Sequence, residues 1–136
     1  MAGRWLLKTE PSAYSWQQLE RDERTTWDGV KNALALKHLS GMEKGDEAIV
    51  YHTGDEKAAI GVARVARGAY PDPKQHDPRL LVVDLVPLRA LARPVSLAEM
   101  RANPKLAGFD LLRLPRLSVM PVSAAQWAEI QRMTKE

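Results

Sequence analysis

The sequence contains no cysteine. That one absence excludes disulfides, thiolate zinc sites and cysteine nucleophiles together. No apolar run approaches the ~18 residues that a membrane-spanning helix needs. The opening MAGRW has no basic-then-apolar signal peptide, so a cytoplasmic address without a membrane partner is expected. There is no repeat, no low-complexity tract and no clear linker. Catalytic signatures are missing too: no GxSxG, no P-loop, no GxGxxG with a downstream acid, no HExxH. The three histidines, His38, His52 and His76, lack the carboxylate spacing of a metal motif. Most serines have cap or turn explanations. The expectation is a recognition protein and not an enzyme, with no metal and no cofactor.

What is present suits one soluble domain spanning residues 1–136. A chain of 136 residues that is 45% hydrophobic can bury one core and not two. The net charge is +3, and it is not spread evenly. Residues 1–68 carry ten basic and ten acidic side chains, whereas residues 69–136 carry ten basic and seven acidic. So small a surplus does not establish nucleic-acid binding, but it favours a polyanionic partner over what an acidic chain would allow.

Periodicity predicts short strands and short helices in alternation. RWLLK is an apolar strand. SAYSWQQLERD is a helix capped by Ser12 or Ser15, with Trp16 and Leu19 on one face. Thr25, Thr26 and Trp27 form β structure before an Asp28-Gly29 turn. Asn32 caps a helix whose stripe is Ala33, Leu36 and Leu39. Strands follow at Ala48 to His52 and Ala58 to Ala66, where Gly61 marks a bulge or a close backbone approach. YPDPKQHDP is a loop. RLLVVDLVPLRAL is a long strand that bends or lies at an edge at Pro87. Ser96 with Glu99 forms a capping box. LPRLSVMPV is a last strand, and Ser123 caps a last helix with Trp127, Ile130 and Met133 inward. Without βαβ regularity, this order predicts an α+β fold: a small mixed barrel with flanking helices and a mouth for a ligand.

Four stretches carry candidate chemistry. In WLLKTEP, a core strand ends in Lys8, Thr9 and Glu10. Alternation puts Lys8 and Glu10 on one face, either as a surface ion pair or as donor and acceptor for one ligand. In TTWDGVKN, Trp27 is either core or a stacking platform beside the exposed backbone of the turn. Lys31 and Asn32 follow it, where Asn32 either caps the helix or reads a base edge. In VYHT, Tyr51 and His52 face opposite sides of a strand. In LLRLPRLSVMPV, Arg113 and Arg116 stand among apolar residues, where an arginine needs an anionic partner, either an internal carboxylate or a phosphate.

WLLKTEPSAYSWQQL, TTWDGVKN, KGDEAIVYHT, IGVARV with YPDP after it, and LLRLPRLSVMPV occur in an order that resembles the EVE domain family of the PUA-like superfamily. The resemblance runs from about Arg4 to Ile130. It covers Trp5, Lys8, Thr9, Glu10, Pro11, Trp27, Gly29, Val30, Asn32, Tyr51 and His52. Lys31 stands where the family often has arginine, and Leu80 or Leu81 where it often has tryptophan. The resemblance implies a PUA-like pseudo-barrel with a pocket for a single nucleobase. It also implies a reader of a modified base, modified cytosine such as 5-methylcytosine in DNA being favoured, and a monomer is expected. The expected ligand-binding residues are Lys8, Thr9, Glu10, Trp27, Gly29, Val30, Lys31, Asn32, Tyr51 and His52, while Arg113 and Arg116 are expected to hold the nucleic-acid backbone or else brace the pocket. Two alternatives stay open: an RNA-binding module of the same fold, and an enzyme on a nucleotide or small molecule with His52 and Glu10 as its acid–base pair.

Overall fold

The computed structural model describes residues 3–135. Six strands form one mixed sheet: β1 (Arg4–Thr9), β2 (Thr25–Trp27), β3 (Glu47–His52), β4 (Ala58–Pro71), β5 (Leu81–Ser96) and β6 (Val119–Pro121). Their spatial order is β2-β5-β4-β3-β1-β6, and the sheet curls into a half-barrel flanked by helices. The helices are α1 (Trp16–Asp22), α2 (Ala33–Ser40), α3 (Leu97–Ala102), α4 (Asp110–Arg113) and α5 (Ala124–Met133), with a 3-10 turn at Pro104–Leu106.

Capping chemistry sets the helix starts. Ser15 with Gln18, Ser96 with Glu99, and Ser123 with Gln126 each form a reciprocal capping box at α1, α3 and α5. Each box satisfies amides that a first helical turn leaves without partners. Asn32 caps α2 by accepting from the Ala35 amide at 3.0 Å. The inward stripe of α2 is Ala35 and Leu39, with Leu36 partly buried; Ala33, expected inside, is exposed. The first turn of α2 therefore faces solvent.

The sheet is built around β1. Leu6 and Leu7 are both fully buried, because β1 pairs with β3 on one side and β6 on the other and is covered on both faces. The β1–β3 pair is parallel. A parallel pair needs a long crossover, and the segment containing α1, β2 and α2 supplies it. Both edge strands, β2 and β6, are only three residues long, which leaves little edge for another chain to pair with.

The two long strands, β4 and β5, bend through register shifts, one of them between Ala59 and Gly61. A Cβ placed on Gly61 would overlap the Trp16 indole, so the expected bulge and the expected close approach both occur there. Strand β4 runs on to Pro71, so the proline-rich segment becomes loop only after Tyr70 and Pro71. Pro87 lies in β5 beyond the stretch paired with β2, where its missing N–H costs no ladder bond on that side. No helix among the described residues is long and apolar enough to cross a membrane.

Candidate functional site

A cavity of about 730 Å³ opens where the end of β1 meets β2 and its turn. Lys8 and Thr9 come from β1, Tyr14 from the approach to α1, Trp27 to Lys31 from β2 and its turn, and Tyr70 and Lys74 from the end of β4 and the loop beyond. Ser118 closes it beside β6. The volume lies within the range of ordinary small-ligand pockets, ~300–1,000 Å³.

Three aromatic rings shape the wall. Trp27 is 7% exposed, so it offers the cavity one margin of a ring that is otherwise core. Tyr14 meets it edge-on, with centroids 6.2 Å apart at 87°. The Tyr14 hydroxyl donates to Asp22 at 2.8 Å, and Thr9 Oγ1 donates to the Tyr14 carbonyl at 2.7 Å. Tyr70 donates its hydroxyl to Asp84 Oδ1 at 2.6 Å and carries the Arg67 guanidinium 3.6 Å above its ring. Asp84 also accepts from Arg24 at 2.9 Å and from Thr26 at 3.1 Å. Burial raises the Asp84 carboxyl, but the bonds from Tyr70, Arg24 and Thr26 outweigh it, so its pKa falls below the usual range. The same bond from Tyr70 to Asp84, with burial, pushes the Tyr70 phenol up. Asp84 thus stays ionised and Tyr70 stays a donor, which holds that wall rigid.

The floor is polar backbone. Gly29 has φ +79°, a left-handed conformation that glycine adopts without strain and that turns the chain tightly after Asp28. Cations outnumber acids on the lining: Lys8, Arg24, Lys31 and Lys74 against Asp28 and Asp72. Asp72 is buried and accepts the Lys74 amide at 2.9 Å, so its charge is engaged in the turn. The Lys8 ammonium donates to the Pro115 carbonyl at 2.9 Å, and burial lowers its pKa.

Of the residues expected at the site, Lys8, Thr9, Trp27, Gly29, Val30 and Lys31 line this cavity. The others do not. Glu10 lies outside β1 and is exposed, close to Ser12 and Thr53 and forming no ion pair with Lys8. Asn32 spends its side-chain oxygen on the α2 cap. Tyr51 is buried and faces a separate, smaller cavity. His52 is 1% exposed, and both ring nitrogens are taken: Nε2 accepts the Trp16 amide at 2.9 Å and Nδ1 meets Glu56 at 2.7 Å. His52 therefore caps the first turn of α1 and is far from a free base-edge reader. The proposed His52–Glu10 acid–base pair is not assembled, since the histidine's carboxylate is Glu56. Arg113 is exposed and paired with Asp110 at 2.8 Å; Arg116 is exposed beside Leu34 and Asn32. Arg113 thus has an internal carboxylate as its partner, and Arg116, being exposed, needs none.

Sequence reasoning missed Tyr14, Tyr70, Arg24, Thr26 and Asp84. Tyr14 and Tyr70 had a signal, each an aromatic beside turn residues in SAYSW and GAYPDP. The Asp84 hub had none, because it unites residues from β2, β4 and β5. Among the described residues, no group of three or more His, Asp or Glu side chains has the geometry to hold a metal.

The sequence model of the EVE domain family matches residues 3–133. The chain belongs to the EVE domain family. Human thymocyte nuclear protein 1 is 26% identical over 93% of this EVE domain chain and 72% of its own length. Rpa0253 from Rhodopseudomonas palustris is 38% identical, with a TM-score of 0.94 over 98% of this chain and 94% of that one. Human THYN1, solved in complex with DNA containing 5-methylcytosine, is 25% identical, with a TM-score of 0.91 over 99% of each chain. An ASCH protein from Zymomonas mobilis shares the fold, at 9% identity and a TM-score of 0.62 over 96% of this chain and 95% of that one. The EVE domain here thus has a PUA-like architecture.

Proposed function

We propose that this chain is a nucleic-acid-binding module that takes one modified base, a modified cytosine in DNA, into the cavity at the end of β1. The observation that carries the reading is the cavity itself: aromatic walls, turn backbone at its floor and an excess of cations, with no assembled acid–base pair. The likeness to human THYN1, which was solved with DNA containing 5-methylcytosine, supports the choice of ligand. The base leaves the stack at a cost of a few kcal/mol and recovers it against Tyr14, Trp27 and Tyr70. Lys8, Thr9 and the backbone of Gly29 and Val30 present donors and acceptors to its edge. Lys31 and Lys74 lie at the cavity for flanking phosphates, as point charges without the bidentate fork of arginine.

The test is a titration of labelled oligonucleotides at two salt concentrations. The set holds unmodified, methylated and hydroxymethylated cytosine in DNA, and the matched RNA. One modified DNA is expected to bind tightest. Trp27→Ala is expected to lose ~1–3 kcal/mol of stacking, roughly ten- to a hundredfold in Kd. Because Trp27 is also core, Tyr14→Leu serves as a second variant, with melting curves on both. Equal, salt-abolished binding to every oligonucleotide, indifferent to both variants, would reduce the site to a basic surface. Preference for RNA would move the assignment to an RNA module.

A further inference from the structure

A second cavity, of about 170 Å³, lies on the other side of Lys8. At ~30 Å³ per water-sized group, it holds about six such groups, enough room for a tetrahedral oxyanion. Lys8, Lys57 and Arg101 line it, and no carboxylate does. None of these three cations belongs to an ion pair among the described residues. Glu10 does not line it, although its carboxylate oxygens lie against Gly54 and accept from Ser12 and Thr53.

Tyr51 also lines this cavity. Its ring is buried, and its hydroxyl, which has no hydrogen-bond partner among the described residues, is not one of the enclosed unpartnered polar atoms and so remains accessible. The Lys8 ammonium sits 6.0 Å from the Tyr51 ring centroid. Its bond to Pro115 uses one of three donors. Burial pushes the Tyr51 phenol up, so it remains a donor. Lys57 is held at φ +44°, in the left-handed region where a non-glycine residue is strained, and its carbonyl is pinned by the Leu97 amide at 2.8 Å. Three cations outside any ion pair and an accessible hydroxyl thus line one small space.

We infer that this cavity binds a phosphate group, with Lys8, Lys57 and Arg101 neutralising it and the Tyr51 hydroxyl donating to it. Because Lys8 lines both cavities, the phosphate belongs to the backbone beside the extruded nucleotide; this source rests on the proposed function. A free phosphate has the same chemistry, and the two are separated by experiment.

The experiment follows amide chemical shifts of the full chain on titration with inorganic phosphate and, separately, with the methylated oligonucleotide. The variants are Arg101→Gln and Tyr51→Phe, with melting curves as a folding control. Arg101→Gln is expected to weaken oligonucleotide binding roughly tenfold and lower the salt slope by about one, because one phosphate contact is lost. The ratio of methylated to unmethylated affinity should not change, since phosphate contacts carry no base information. Tyr51→Phe is expected to cost about tenfold with no change in slope. Shifts at Gly54, Lys57 and Arg101 with phosphate alone would extend the site to free phosphate; shifts with the oligonucleotide only would assign it to backbone. Wild-type binding of both ligands by both folded variants would overturn the inference and leave the base reader standing. A wild type that ignores oligonucleotides yet binds phosphate through Arg101 would do the reverse.

Discussion

Replacing Gly61 with alanine tests how the core holds the cavity wall. Gly61 is not among the residues with positive φ, so alanine is permitted by the backbone. The obstacle is space: a Cβ there would lie 2.5 Å from Trp16 Cδ2 and 2.7 Å from Cζ2. Carbon atoms settle at ~3.5–4.0 Å, so the ring or the strand must move by about 1 Å. Overpacking of this kind costs ~1–3 kcal/mol, and the overlap argues for the upper end. At ~3–5 °C per kcal/mol for a domain of this length, Tm is expected to fall by about 10 °C in Gly61→Ala. Trp16 is 1% exposed and its indole N–H has no partner among the described residues, so packing holds the ring. A double-mutant cycle with Trp16→Leu identifies the cause. If the ring is the obstacle, the cost of Gly61→Ala should drop below ~0.5 kcal/mol in that background. Full persistence of the cost would refute the steric argument and place the requirement in the β4 bulge. No change in Tm for Gly61→Ala alone would show that the ring yields freely. Binding should weaken along with stability, because the Trp16 amide is tied to His52 and Tyr14 stands two residues before it.

Two further perturbations probe parts of the fold away from the ligand. His52→Ala strips the acceptor from the buried Trp16 amide and removes a packed ring, so urea melts should show a loss of ~2–4 kcal/mol; His52→Gln, which keeps an acceptor, should lose less, and equal losses would contradict the capping role. Glu99 is held down to about 2 from its ordinary 4.5, first by Arg93 and then by Ser96. A depressed carboxyl stabilises the fold above its unfolded pKa, and that contribution disappears as pH falls from about 4.5 to about 2. Since Glu99 is 39% exposed, solvent screening limits the effect to ~1 kcal/mol or less. Glu99→Gln should therefore melt earlier than wild type at pH 7 and together with it near pH 2, whereas parallel curves across that range would refute the linkage.

The local elements of this chain were legible because local chemistry makes them. Ser15, Ser96 and Ser123 stand three residues before Gln18, Glu99 and Gln126, and a capping box needs only that spacing. Asp28-Gly29 turns the chain because glycine alone reaches φ +79° without strain. Asn32 was readable as a cap, yet the same polarity also suggested a base reader, and only the bond to Ala35 separates the two. The end of β1 was readable as a pocket wall for Lys8 and Thr9, but Glu10 turned out of it.

What the sequence by itself determined is the set of segments: where helices start, where the chain turns, and which strands are apolar. Those outcomes depend on contacts within a few residues. The tertiary structure alone decided which segments meet. The parallel register of β1 on β3 brings Thr9 opposite His52, and His52 then reaches across to cap α1. Asp84 gathers Arg24, Thr26 and Tyr70, residues up to 60 positions away. Tyr51 and Lys8 join Lys57 and Arg101 because β3, the turn after it and α3 close around one small space. Sites of this kind are sums of long-range contacts, and loop-closure entropy leaves no trace of them in the local pattern.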